Sequence, residues 1–211
     1  MVIIKKEEKI SFYSHFFGVI LALMGSIYLI YKANGLEMKI ISIIYGVSVI
    51  ILFLGSSLYH YNKKYNSEVS IWRKIDHIAI FIMIAGTYTP VSYVYLSAYW
   101  KWSIIIIQWV LVFGGIFFKF YYLEAPRYLY TIIYLLMGWM GIVPIIKFIE
   151  SMSNLSLFYL FAGGISYTIG ALFYIFKKPQ FNPKFGFHEI FHIFILIGAL
   201  FHYLLVYKAV V

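Results

Sequence analysis

The sequence predicts an all-α integral membrane protein, a seven-transmembrane-helix bundle with a single domain over residues 1–211. Two observations carry that prediction. The chain is 63% hydrophobic and only 12% charged, with a mean hydropathy of +0.87, which leaves too little polar surface to cover a water-soluble globule. Charges and Pro/Gly clusters then divide it into seven apolar stretches, each near the roughly 20 residues that a helix needs to cross about 30 Å of hydrocarbon. Large soluble domains are excluded. The chain has no cysteine, so disulfides and thiolate metal sites are excluded too, and any transition metal must sit on His and carboxylate.

The stretches run from 11 to 31, 40 to 60, 75 to 96, 102 to 121, 129 to 149, 156 to 176 and 188 to 207. The first follows Lys5, Lys6 and Lys9 as a signal peptide would, but it continues past Tyr28 without a small-residue cleavage site and is expected to stay as a helix. Its Gly18, Ala22 and Ser26 form a small-xxx-small row that lets a second helix approach closely. Pro90 and Pro144 fall inside the third and fifth stretches, where kinks are expected. The two longest connections, 61–74 and 177–187, are polar, and Pro179 and Pro183 in the second end a helix.

Orientation follows from the basic residues. Twelve of the 17 Lys and Arg fall on the N-terminal side of the seven spans and five on the other, which puts the N-terminus in the cytoplasm and the C-terminus outside. The net charge of +9 is then an orientation signal with affinity for anionic lipid heads. Membrane lipids are the expected partners. There is no soluble module or basic stripe to bind nucleic acid.

Ionisable side chains inside spans are expensive and usually functional. The chain has one aspartate and six histidines. In the predicted topology His15 opens the first helix, His60 closes the second, Asp76 and His77 open the third, and His188 and His192 open the seventh, all at the cytoplasmic side. Four helices thus bring the only aspartate and five of the six histidines to one membrane depth.

Spacing sharpens the pattern. His188 and His192 are i and i+4, so both imidazoles leave one helix face and can grip one ion. Ser56 and His60 share a face by the same arithmetic. Three histidines with an open fourth position make a catalytic zinc site, in which bound water can reach a pKa near 7. Asp76, at the same depth on another helix, is the natural general base. His15 and His77 read instead as interface anchors or hydrogen-bonded core residues. His202 lies ten residues beyond His192, about 15 Å along the helix and too deep to share its ion.

Residues 188–192 also spell H-E-x-x-H, in which Glu189 would be the base of an intramembrane metalloprotease. Such a site needs a third ligand, and the 19 residues after His192 contain neither Asp nor Glu. Glu189 is equally a carboxylate placed where a helix dipole favours it.

Taken together, Ser56 to His60 (SSLYH), Lys74 to His77 (KIDH), Ala85 to Pro90 (AGTYTP) and His188 to His192 (HEIFH) resemble the hemolysin III family of bacterial membrane proteins. That family is grouped with the progestin and adiponectin receptors and, more distantly, the alkaline ceramidases. The resemblance covers nearly the whole chain in order. It implies seven helices in the cell inner (plasma) membrane, a cytoplasmic N-terminus and a zinc ion (Zn2+) near the inner face. It further implies that His60, His188 and His192 are the zinc ligands, that Asp76 holds the bound water and that Ser56 sits beside it.

Three activities are compatible with the resemblance. A zinc-dependent hydrolase of a membrane lipid amide or ester, tied to membrane-lipid homeostasis, would use Asp76 as base and Ser56 to steady the oxyanion. A receptor-like or sensor bundle would use zinc structurally. A haemolytic pore would conduct.

Overall fold

A computed structural model of the chain describes residues 4–65 and 68–211. Asn66 and Ser67, within the first long polar connection, lie outside the described residues. The helices are α1 (Lys9–Lys32), α2 (Gly35–Asn62), α3 (Ile71–Tyr95), α4 (Ala98–Tyr121), α5 (Arg127–Gly138), α6 (Ile145–Ser151), α7 (Asn154–Phe176) and α8 (Phe187–Val210). Six are individually long and apolar enough to cross a membrane, and α5 with α6 forms a bent pair that makes a seventh span if taken as one. The seven predicted stretches therefore all correspond to helix.

Successive helices pack as antiparallel hairpins, α1 on α2, α2 on α3, α3 on α4 and α7 on α8, and α8 closes the bundle against α1, α2 and α3. The turn between α1 and α2 is only two residues long, Ala33 and Asn34, and Gly35 makes it possible with a φ of 82° that a side chain would resist. Bulk apolar side chains face outward as well as inward. Along α4, Ile106, Val110, Phe113 and Phe117 are between 57% and 71% exposed; their i, i+4, i+7, i+11 spacing lays a hydrocarbon stripe where lipid would lie.

Inside, small residues set the helix spacing. The row Gly18, Ala22 and Ser26 is buried, and a Cβ added at Gly18 would come within 2.7 Å of the Phe53 ring on α2. One added at Gly46 would meet the Ser26 hydroxyl at 2.5 Å. Several hydroxyls in the apolar helices satisfy themselves on the preceding turn, Ser48 donating to the Ile44 carbonyl at 2.7 Å and Ser57 to that of Phe53 at 2.8 Å, which removes the desolvation cost of a free O–H.

The two buried prolines behave differently. Helix α3 runs on through Pro90, whereas the chain bends by 52° between the Arg127–Ile142 and Ile145–Ser151 segments around Pro144. A 3-10 turn at Trp139–Ile142 precedes that break. Tyr88 of α3 repairs it: its hydroxyl donates to the Gly138 carbonyl at 2.7 Å and accepts from the Gly141 amide at 2.6 Å. A broken backbone at this depth survives because a neighbouring helix replaces its missing bonds. The second long connection holds a small antiparallel hairpin, β1 (Gln180–Asn182) and β2 (Phe185–Gly186), that delivers the chain directly into α8.

Candidate metal centre

The start of α8 is fixed by its own carboxylate. Glu189 accepts from the Gly186 amide at 2.9 Å and, through its other oxygen, from the Ser11 hydroxyl of α1 at 2.9 Å. Both oxygens are thereby committed to holding the helix end, and Glu189 is 8% exposed. On the same first turns His188 and His192 stand with ring centroids 4.6 Å apart.

His60, at the last turn of α2, completes a triad with them. Its ring lies 5.1 Å from that of His188 and 5.0 Å from that of His192, and one ring nitrogen from each of the three lies within 4.8 Å of the others. The Nε2 atoms of His60 and His188 are 3.3 Å apart. Tetrahedral zinc with Zn–N near 2.0–2.1 Å requires ligand nitrogens about 3.3 Å from each other, so this edge already has the right length. His60 and His192 are 1% and 2% exposed. Three imidazoles this close form a donor set that can hold a metal ion.

Helix α1 supplies no member of the triad but surrounds it. Glu8, just before α1, accepts from His60 Nδ1 at 2.6 Å and from Lys63 Nζ at 2.6 Å. Burial pushes the Glu8 carboxyl up, but the His60 and Lys63 contacts together hold it below the usual range. Ser14 Oγ approaches His192 Nδ1 at 3.4 Å. The His15 ring stacks on that of His192 with centroids 3.7 Å apart and is 3% exposed; among the described residues neither of its nitrogens has a hydrogen-bond partner.

Beside the triad opens a mostly apolar cavity of about 160 Å³, walled at this end by Ser56, Asp76, His188 and His192. Ser56 on α2 and Asp76 on α3 line the same cavity. Asp76 stands outside the group of mutually close ligand atoms. The cavity continues past Thr87 and Trp139 to Tyr167 and His202, and the ten residues from His192 to His202 make it about 15 Å long. His77 also touches it, but its ring packs on Tyr130 with centroids 4.9 Å apart, away from the triad. His202 lies at the deep end, its Nε2 3.4 Å from the Leu160 carbonyl.

The chain matches the family model described as "Haemolysin-III related" over residues 3–203. It belongs to the haemolysin-III family. A Hemolysin-3 homolog of Bacillus subtilis is 38% identical over 197 residues, covering 92% of this chain and 90% of the relative. Hemolysin-3 of Bacillus cereus is 35% identical over 197 residues, covering 92% and 87%. The human monocyte to macrophage differentiation factor is 28% identical over 211 residues, covering 96% and 84%. The haemolysin-III chain described here is therefore a multi-pass membrane protein, related to the adiponectin receptors as the motifs imply.

All five candidate residues read from the sequence fall in one region of this haemolysin-III bundle: His60, His188 and His192 as a triad, and Ser56 and Asp76 on the wall of the cavity that His188 and His192 also line. Glu8 and the stacked His15 were not read as part of it. The signal that marks them is the spacing Glu8, Ser11, His15, an i, i+3, i+7 polar stripe on one face of an otherwise apolar helix.

Proposed function

We propose that this protein is a zinc-dependent hydrolase of an amide or ester bond in a membrane lipid, with its site near the cytoplasmic face of the plasma membrane. One observation carries the reading: a buried histidine triad, an aspartate and a hydroxyl meet at one end of an elongated apolar cavity. Three imidazoles with neither thiolate nor carboxylate among them suit zinc. A zinc ion held there supplies Lewis acidity and a lowered pKa for water.

The chain's own residues do the rest. Asp76, outside the ligand group but walling the same space, is placed to accept the proton of an attacking water. The Ser56 hydroxyl, which lines the same cavity as Asp76, can orient that carboxylate or donate to the developing oxyanion. The apolar walls running towards Tyr167 and His202 take up a hydrocarbon chain and bring its polar linkage to the triad. The excess of basic residues on the N-terminal side supports a cytoplasmic position for this end of the bundle.

The test is turnover of ceramide-type amides and acyl esters in liposomes containing the purified protein, with released fatty acid measured by mass spectrometry. Wild type releases fatty acid, and Asp76→Asn releases at least about 100-fold less while retaining its zinc. Turnover unchanged in Asp76→Asn overturns the role given to Asp76, and no lipid consumed by zinc-loaded wild type overturns the hydrolase and favours a structural ion.

A further inference from the structure

We infer that Glu8 is the positioning residue of the metal centre: its carboxylate fixes the tautomer and ring orientation of His60, making the N-terminal segment a working part of a site to which it gives no ligand. The inference rests on the reading of the histidine triad as a metal site.

The argument is one of proton placement. Glu8 Oε2 lies 2.6 Å from His60 Nδ1. An ionised carboxylate only accepts, so Nδ1 carries the hydrogen. A neutral imidazole has one N–H, and with it on Nδ1 the lone pair falls on Nε2. That is the atom 3.3 Å from His188 Nε2. With the hydrogen on Nε2 instead, His60 would present a proton to the ion and could not bind it. The other Glu8 oxygen is taken by Lys63 Nζ at 2.6 Å, so the carboxylate cannot rotate out of line, and its charge stays compensated in a pocket where Glu8 is 6% exposed.

The arrangement spans 52 residues of sequence and joins the segment before α1 to the last turn of α2. A salt bridge to Lys63 alone would need neither burial nor the second oxygen on His60. A carboxylate behind a metal-binding imidazole raises ligand basicity and holds the ring, and its loss typically weakens metal binding about 10- to 100-fold.

The experiment is competition of the purified full-length protein against a chromophoric chelator for zinc and for Co(II), with the Co(II) d–d spectrum reporting ligand geometry. Glu8→Ala is expected to bind both ions about 10- to 100-fold more weakly than wild type and to change the Co(II) spectrum. Glu8→Gln keeps the shape and an acceptor but no charge. It is expected to lie between them, and it decides the matter where Glu8→Ala fails to fold. Lys63→Met, which removes the ion pair and leaves the carboxylate against His60, is expected to weaken binding of both ions by less than Glu8→Ala does. A role confined to tethering the helix ends predicts instead that Lys63→Met is as harmful as Glu8→Ala in thermal melts and that neither changes the Co(II) spectrum. Wild-type affinity and spectrum in Glu8→Gln overturn the inference. A wild type that binds neither ion instead overturns the metal site itself, so the two failures are distinguishable.

Discussion

His60 Nε2 and His188 Nε2 lie 3.3 Å apart although 128 residues separate them. Two imidazole nitrogens this close repel through their lone pairs unless a proton or a cation lies between. The same geometry that is costly empty becomes favourable with an ion. Zinc per purified chain, measured by elemental mass spectrometry without added metal, is expected near one for wild type. His60→Ala and His188→Ala each drop it below about 0.1, because the remaining pair binds far more weakly. His77→Ala keeps it, since that ring packs on Tyr130. Zinc unaffected by either of the first two substitutions would place the ion elsewhere.

Chelation should also loosen the bundle. An ion bound only by the folded state stabilises it by about 2.7 kcal/mol at a free concentration 100 times its Kd, and this one would join α2 to α8. Stripping the metal is expected to lower the thermal midpoint in wild type and to have no effect in His192→Ala. Equal shifts in both would mean that the chelator acts elsewhere than at the triad.

Much of this was legible in one sequence because membrane depth is a one-dimensional coordinate. Span boundaries fix how deep His60, Asp76, His188 and His192 lie, and i, i+4 spacing fixes that the last two share a face. Rotation about the helix axis is a different matter. That His15 stacks on His192 while His77 turns to Tyr130 depends on the phase of α1 and α3 against their neighbours, which depth does not constrain. Glu8 was hidden by its setting among Lys5, Lys6 and Lys9, where it reads as part of a solvated charge run. Pro144 marked the fifth span as irregular, but the 3-10 turn and the Tyr88 bridge across it are products of tertiary packing.

That bridge is itself testable. Tyr88→Phe removes one hydroxyl that both donates to Gly138 and accepts from Gly141, leaving a carbonyl and an amide unpaired at the bend. Hydrogen bonds between membrane helices are worth about 0.6 to 1.7 kcal/mol each, so a loss of about 1–2 kcal/mol is expected in denaturant titration. Hydrogen exchange at Gly141 should rise in parallel. Unchanged exchange there would mean that the broken span is held by something other than Tyr88.

Ser56→Ala separates positioning from metal binding. Ser56 lines the cavity with Asp76 and is no member of the triad, so zinc content is expected to stay at the wild-type level. Turnover of a lipid substrate should fall about 10- to 100-fold through loss of carboxylate alignment, in kcat more than in KM. A rise in KM alone, or loss of zinc, would assign Ser56 to substrate binding or to the ligand shell.

Gly18 links packing to chemistry. A Cβ there would lie 2.7 Å from the Phe53 ring, and overpacking of this kind costs about 1–3 kcal/mol. Gly18→Val is therefore expected to destabilise the bundle by that amount. The displaced helix is the one that begins beside Glu8 and carries His15, so zinc affinity should fall in the same variant. Phe53→Leu makes room and should restore part of both, a coupling that a double-mutant cycle measures directly. Gly114→Val is the control, because nothing lies within 4 Å of its added Cβ and it is expected to leave stability and zinc binding unchanged. If Gly18→Val lowers stability while zinc affinity stays at wild type, α1 packs on α2 without contributing to the centre, and the role inferred for Glu8 loses its structural support.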